Sequence, residues 1–263
     1  MEKLNDIIRN MLHTYLPVPP VNIVLLKEYC MHKRLQLVNR SNKTLLETIS
    51  SFERHMHSTS FKDLLEIIEN APMARFQAMH NVADFYGDIG EGTRVLKDLL
   101  LFQNDNSLDD AKYFVRVVVA ILDRELPKLN TLLIEGSTNA GKSMFVQMLS
   151  SLCISVGTLR VLNRNSGSFP TQDCIDKRVI VWEEPNYDAQ YFGEFLKQLL
   201  GGGVINSAVK FTRDCSIPRT PVLITTNQTH LFTKDKAWQS RIFRVKWKSY
   251  SPLFDFSYQF SPL

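Results

Sequence analysis

The spacing of apolar residues divides this chain of 263 residues into two regions. Up to about Leu126, apolar residues recur every three or four positions, which is typical of amphipathic helices. From Lys128 onward, short apolar runs alternate with helical segments, and this alternation indicates a parallel sheet covered on both faces. We therefore expect an α/β protein with a helical region at residues 1–126, an α/β core at residues 127–250 and a tail at residues 251–263.

Within the α/β core, the apolar runs predict five strands and two helices. The segments predicted as strands are NTLLIE, TLRVL, RVIVWEE, PVLITTN and IFRVKW. The segments predicted as helices are KSMFVQMLSSLC and AQYFGEFLKQLL.

Helix-starting residues precede several periodic segments of the helical region. A hydroxyl followed three residues later by a carboxylate can satisfy the amides of a first helical turn reciprocally. Such pairs are Thr44 with Glu47, Ser60 with Asp63, and Ser107 with Asp110. The clearest predicted helix runs from Ser107 to Leu126 and is closed by Pro127, because proline cannot continue a helix.

The composition is that of an ordinary globular protein, with 44% hydrophobic and 22% charged residues. The net charge is only +4, so contact with DNA would have to come from a local patch. The longest apolar run, Val117–Leu122, is far shorter than the roughly 18 residues of a membrane span, so no membrane partner is expected. Four scattered cysteines suggest neither a zinc site nor a disulfide framework, and favour a reducing intracellular setting.

The segment GSTNAGKS matches the complete G-x-x-x-x-G-K-[ST] pattern of a phosphate-binding loop. An apolar strand precedes it and an amphipathic helix follows, as the pattern requires. Backbone amides of such a loop converge on the phosphates of a nucleotide, Lys142 can reach the β and γ oxygens, and Ser143 offers a hydroxyl to Mg²⁺. The loop therefore predicts a bound nucleoside triphosphate with Mg²⁺, held by Gly136, Ser137, Thr138, Asn139, Ala140, Gly141, Lys142 and Ser143.

Two adjacent acids, Glu183 and Glu184, end the apolar run RVIVW. Ligands of open α/β sheets bind at this carboxyl edge. Because neighbouring residues of a strand point to opposite faces, we expect the two acids to differ in role. Glu183 is predicted to hold Mg²⁺ or its water, and Glu184 to orient and deprotonate an attacking water, which favours hydrolysis. The alternative is a solvated strand end.

Two further polar residues complete the predicted catalytic set. Asn227 ends the apolar strand PVLITT and is suited to hold the attacking water, although an asparagine in a turn is the alternative. Arg241 precedes the last predicted strand and could reach the nucleotide of a neighbouring subunit as an arginine finger, although a surface charge is the alternative.

Five stretches together resemble the superfamily 3 helicase domain of parvoviral, densovirus-like non-structural (Rep-type) replication proteins. The resemblance covers about Asn130 to Trp247, roughly half of the chain. The stretches are NTLLIEGSTNAGKS, SFPTQDCIDKRVIVWEEP, LLGGGVINSAVK, TPVLITTN and WQSRIFRVKW.

This resemblance implies a P-loop ATPase core of the AAA+ type, preceded by a small helical bundle that forms an oligomerisation collar. It further implies a homo-hexamer that hydrolyses ATP at subunit interfaces and moves 3′ to 5′ on single-stranded DNA in its central channel, during viral genome replication in the host nucleus. The third stretch corresponds to a hairpin that enters the channel, where Lys210, Phe211 and Arg213 are the expected DNA contacts. Many relatives carry more basic residues in this hairpin.

Other functions remain open at this point. One is an ATP-binding packaging motor or regulatory relic without unwinding activity, and a more distant one is a nucleoside kinase built on the same loop. Proteins of the resembled type usually carry a His-x-His nuclease, but His55 and His57 lie in a helical pattern. The sequence is therefore either a motor fragment or a helicase-only version.

Overall fold

A parallel sheet forms the centre of the second half of the chain. The computed structural model describes residues 2–163, 170–207, 215–229 and 231–263. Its strands are β1 Thr131–Gly136, β2 Val156–Thr158, β3 Val179–Glu183, β4 Ile205–Ser207, β5 Cys215–Ile217, β6 Val222–Thr226 and β7 Ile242–Trp247. Five of them pair in parallel in the order β2-β3-β6-β1-β7, and β4 pairs antiparallel with β5. The predicted α/β class and parallel central sheet are confirmed.

Helices make up most of the chain before the sheet. The helices are α1 Leu4–Tyr15, α2 Lys27–Met31, α3 Lys43–Ser58, α4 Phe61–Glu69, α5 Val82–Tyr86, α6 Ile89–Gln103, α7 Leu108–Leu122, α8 Lys142–Cys153 and α9 Ala189–Leu200. Both histidines of the His-x-His segment lie in α3, as the helical pattern predicted. Within the described residues, we find no helix with the length and apolar character to cross a bilayer.

Two of the three predicted helix starts are confirmed. The hydroxyls of Ser60 and Ser107 each accept a hydrogen bond from the backbone amide three residues later. The prediction for Thr44 was wrong, because Asn42 caps α3 by accepting from the Leu45 amide at 3.1 Å. Asparagine is the stronger capping residue of the two.

The predicted end of α7 was also wrong, since this helix ends at Leu122 and not at Leu126. Arg124 takes a positive φ of 61°, which a helix does not allow. The carboxylate of Asp123 accepts from the Phe61 amide at 2.8 Å, so a tertiary contact stops the helix before the proline does.

Four of the five predicted core strands and both predicted helices lie where the sequence placed them. The fifth, TLRVL, was wrong: β2 is Val156–Thr158, and Leu162 forms only an isolated bridge to Tyr187. Strand β2 pairs with the start of β3 through Val156 and Val179. A three-residue strand containing a glycine lacks the apolar alternation that identifies strands in a sequence.

Aromatic packing joins the helical region to the sheet. Phe114 of α7 lies 5.7 Å from the ring of Phe145 of α8 and 6.1 Å from that of Trp247 of β7. These residues belong to one hydrophobic cluster that contains side chains from both regions. The division of the chain at residue 127 stays a prediction, since the two regions share this core.

The tail docks on the helical region. Phe256 stacks on Phe260 with ring centroids 5.5 Å apart, and Phe260 is buried. The Gln259 amide donates to the Phe85 carbonyl at 3.0 Å.

A buried arginine at the start of β3 also joins the two regions. Arg178 is fully buried, and its guanidinium donates to the carbonyls of Thr59 and Leu122 and to the carboxylate of Asp123. A buried charge is tolerated only where such partners replace its water. Arg178 directly precedes β3, so its hydrogen bonds connect the start of this strand to the ends of α3 and α7.

We expect Arg178→Met to lower the free energy of unfolding by about 3 kcal/mol, because it removes the donor to the carbonyls of Thr59 and Leu122 and one of the two donors to the Asp123 carboxylate. Denaturant unfolding measures this. The matched control is Arg160→Met, since Arg160 forms an exposed ion pair with Asp173 at 2.8 Å and should cost less than about 1 kcal/mol. Equal losses in the two variants would contradict the role of the buried arginine.

A second prediction concerns the close approach of β1 to β7. A Cβ added at Gly136 would lie 2.0 Å from the Trp247 carbonyl oxygen, so Gly136→Ala should lower the free energy of unfolding by about 1–3 kcal/mol. Gly193 of α9 is the control, because a Cβ there meets nothing within 4 Å. Gly193→Ala should instead stabilise the helix by about 0.5–1 kcal/mol, and thermal melting of both variants checks the opposite signs.

Candidate functional site

The candidate site lies at the carboxyl edge of the sheet. Strand β6 pairs with β3 on one side and with β1 on the other, all in parallel, so the residues that follow these strands meet at one edge. A cavity of about 350 Å³ opens there. Its walls include the predicted loop from Thr138 to Ser143, both acids Glu183 and Glu184, and Asn227. The structure thus brings this part of the loop, the two acids and Asn227 to one cavity, while their roles stay predictions.

The loop is held in a conformation that depends on Gly141. This residue has φ of 83°, in the left-handed region that favours glycine. A Cβ there would lie 2.8 Å from a methyl carbon of Leu99 and 2.9 Å from one of Leu253. Helix α8 begins at the next residue, so the loop delivers the partly positive end of a helix to the cavity.

Lys142 is buried and links the loop to the end of β6. Its ammonium donates to the carbonyls of Gly136 at 2.8 Å and Ser137 at 2.6 Å, and to Asn227 Oδ1 at 2.9 Å. Burial lowers the pKa of this lysine, and the nearby carboxylate of Glu184 opposes the shift. The ammonium is therefore positioned in the wall of the cavity by three oxygen acceptors.

The strand alternation that the sequence prediction assumed for the two acids does not extend to Glu184. Strand β3 ends at Glu183, and Glu184 takes a positive φ of 42°, so the alternation of strand side chains no longer applies to it. Both residues line the same cavity.

Glu184 is fixed by residues at the end of β6. Its carboxylate accepts from the Asn227 amide at 2.9 Å and 3.2 Å and from the Thr226 hydroxyl at 3.0 Å. The backbone amide of Glu184 donates to the Thr225 carbonyl at 2.9 Å. Asn227 thus donates to Glu184 through its main chain and accepts from Lys142 through its side chain.

Oxygen donors suited to a hard cation stand at the cavity. The exposed Ser143 and the exposed Glu183 both line it, and hydroxyl and carboxylate oxygens are ligands that Mg²⁺ accepts. Within the described part of the chain, no group of three or more His, Cys, Asp or Glu could hold a metal ion. Mg²⁺ is usually bound by one or two protein groups together with phosphates and water.

Arg241 lies at the opposite edge of the sheet. Its carbonyl accepts from the amides of Asn130 and Thr131, at the start of β1, whereas the loop follows the end of β1. The first and last residues of β1, Thr131 and Gly136, are five residue steps apart, which corresponds to about 17 Å along the strand. The guanidinium donates to the carbonyls of Lys197 at 3.0 Å and Ala237 at 2.6 Å. Arg241 therefore does not contact the loop of its own chain.

The predicted DNA contacts Lys210, Phe211 and Arg213 lie outside the described residues. The described strands flanking them, β4 and β5, pair antiparallel through Ile205 and Ile217. Helix α9 leads directly into the first of these strands.

The sequence did not indicate the residues outside the cavity that hydrogen-bond to the loop. Gln103, at the end of α6, donates to the carbonyls of Ala140 at 3.3 Å and Lys248 at 2.7 Å. The Tyr250 amide donates to the Asn139 carbonyl at 3.1 Å. These contacts join segments far apart in the chain, so no local pattern marks them. Thr226 was missed as well, and its only signal was a hydroxyl beside Asn227.

Solved structures share this fold at low sequence identity. A crystal structure of JCV helicase aligns with a TM-score of 0.61 and 12% identity, over 97% of this chain and 80% of that one. A second JCV helicase structure gives a TM-score of 0.51 and 14% identity, over 80% of this chain and 59% of that one. These similarities confirm the expected AAA+-type P-loop fold.

Sequence relatives identify the family. The chain is 34% identical over 178 residues to initiator protein NS1 of Junonia coenia densovirus, covering 68% of this chain and 32% of that protein. It is 30% identical over 118 residues to protein Rep52 of adeno-associated virus 2, covering 45% of this chain and 29% of that protein. The chain thus spans about a third of the length of these relatives. Because the model of the parvovirus non-structural protein NS1 family matches residues 34–262, the chain belongs to that family.

Proposed function

We propose that this chain is the ATP-driven motor of a replication helicase that moves on single-stranded DNA. The arrangement of Lys142, Glu184 and Asn227 around one cavity carries the proposal, because it joins a phosphate-binding cation to a base and a polar strand end. Membership of the NS1 family and the superfamily 3 helicase fold support the same function.

The roles at the cavity follow from chemistry and position. The loop amides and Lys142 would bind the phosphates of ATP, with Ser143 and Glu183 holding Mg²⁺. Mg²⁺ supplies positive charge to the β and γ oxygens when it is bound. Glu184 would take the proton of a water that attacks the γ phosphorus, and the bond to the β–γ bridging oxygen breaks to release ADP and phosphate.

Hydrolysis is proposed to occur at interfaces between subunits of a homo-hexamer. The position of Arg241 supports this, because the residue lies at the far edge of the sheet from its own loop. An arginine so placed can stabilise transition-state charge only at the site of another copy. The helical region is the proposed oligomerisation collar.

DNA is the proposed polymer partner, in the channel of the hexamer and with 3′ to 5′ movement. Lys210, Phe211 and Arg213 are the proposed contacts, through phosphate pairing and base stacking. The proposed setting is replication of a viral single-stranded DNA genome in the host nucleus.

The function is tested by measuring ATP hydrolysis with and without single-stranded DNA. We expect single-stranded DNA to stimulate turnover, and a duplex with a single-stranded 3′ tail to be unwound. Lys142→Ala should lose ATP binding and both activities, because no other ammonium lies in the cavity wall among the described residues. Nucleotide binding with turnover that is indifferent to DNA would instead support a module without unwinding activity.

A second prediction tests whether Arg241 acts between subunits. Arg241→Ala should lose turnover by about 10³-fold while it keeps nucleotide affinity. Mixing it with Lys142→Ala subunits should restore part of the activity, because each variant then supplies the group that its neighbour lacks. The control is Lys236→Ala, which removes an exposed cation from the same segment and should keep normal turnover. A mixture without any recovery would contradict a finger that acts in trans.

A further inference from the structure

The hydroxyl of Thr226 forms a hydrogen bond with one carboxylate oxygen of Glu184. Thr226 is the last residue of β6 and is fully buried. Its Oγ1 lies 3.0 Å from Glu184 Oε2 and 3.0 Å from the backbone nitrogen of Gln228. The carboxylate has no proton to give when ionised, so the hydroxyl donates to Glu184 and accepts from Gln228.

These two bonds fix the direction of the hydroxyl proton. A threonine hydroxyl has a single proton, and the Gln228 amide occupies one of its lone pairs. The proton is left to Glu184. The other donor to the carboxylate, the Asn227 amide, lies 2.9 Å from Oε1 but 3.2 Å from Oε2. Thr226 therefore supplies the shorter of the two hydrogen bonds to Oε2.

The side chain of Thr226 is linked to the candidate site through its hydrogen bond to Glu184. It does not line the nucleotide cavity, although its neighbours Thr225 and Asn227 do. Asn227 also binds Lys142, so a change of that side chain would disturb the proposed phosphate-binding cation as well as the residue predicted to hold the attacking water. Of the residues that line the cavity, the hydroxyl of Thr226 hydrogen-bonds Glu184, and its other bond is to the Gln228 amide outside the cavity.

We propose that Thr226 is a positioning residue that sets the orientation of the Glu184 carboxylate. The proposal rests on the proposed function, in which Glu184 accepts the proton of the attacking water. A carboxylate that shifts by a fraction of an ångström from the attacking water becomes a much weaker general base, because proton transfer needs close and aligned groups. Nucleotide binding should be unaffected, since Thr226 does not reach the cavity.

The experiment compares Thr226→Val with Thr226→Ser in the full chain. Thr226→Val removes the hydroxyl at nearly constant volume, and we expect kcat for ATP hydrolysis to fall about 10- to 100-fold with KM changed less than about twofold. Thr226→Ser keeps the hydroxyl and should retain most of the activity. Should the valine variant not fold, Thr226→Ala against Thr226→Ser gives the same comparison, because these two differ only in the hydroxyl.

Thr131→Val is the matched control for the loss of a buried hydroxyl. Thr131 is buried in the neighbouring strand β1, and its Oγ1 donates to the Leu200 carbonyl at 2.9 Å, at the opposite edge of the sheet. Its variant should lose stability to a similar extent but keep kcat. A purely structural effect of losing a buried hydroxyl would lower kcat to a similar extent in Thr226→Val and Thr131→Val.

A double variant separates positioning from other roles. Glu184→Gln with Thr226→Val should be no slower than Glu184→Gln alone, because the hydroxyl would have no base left to orient. Normal kcat in Thr226→Val, or a further loss in the double variant, would overturn the proposal and leave the proposed function intact. Absence of hydrolysis by the unaltered chain with single-stranded DNA would instead contradict the proposed function itself.

Discussion

The parallel pairing of β6 between β3 and β1 is the constraint on which the candidate site depends. This register sets Glu183 level with Thr225 and Glu135 level with Thr226, so the loop, the acids and Asn227 meet at one edge. A slip by one residue would turn every side chain of the strand to the other face and move the edge by about 3.3 Å. All five residues of β6 are buried, and apolar packing on both faces opposes such a slip.

The helical region supports this edge from two directions. Arg178 connects the ends of α3 and α7 to the start of β3, the strand that carries the acids. Gln103 connects the end of α6 to the carbonyl of Ala140 in the loop. Both contacts satisfy backbone carbonyls that strands and helices leave free at their ends, where buried polar groups need partners. The helical region, which is the proposed collar, thus also holds the candidate site in shape.

Local patterns in the sequence were sufficient to predict most of the core and the residues of the cavity. An apolar strand followed by a glycine-rich turn or by acids can be identified from about ten consecutive residues. The missed features depend on tertiary contacts or on single backbone angles. The φ of 42° at Glu184 brings this acid to the same cavity as Glu183, and no residue type at that position announces it. The bonds of Gln103 to Ala140 and of Thr226 to Glu184 likewise join residues 37 and 42 positions apart.

Asn227 connects the cation and the base of the site through two different groups. Its side-chain oxygen accepts from Lys142, and its backbone amide donates to Glu184. A side-chain substitution can remove the first bond but not the second, because the amide belongs to the main chain. Of the two donors to the Glu184 carboxylate, the hydroxyl of Thr226 is thus the one that a side-chain substitution can remove. The carboxylate of Glu184, the proposed base, is held by two donors at the end of β6, and of these only the Thr226 hydroxyl can be removed by a substitution that leaves the bond of Asn227 to Lys142 in place.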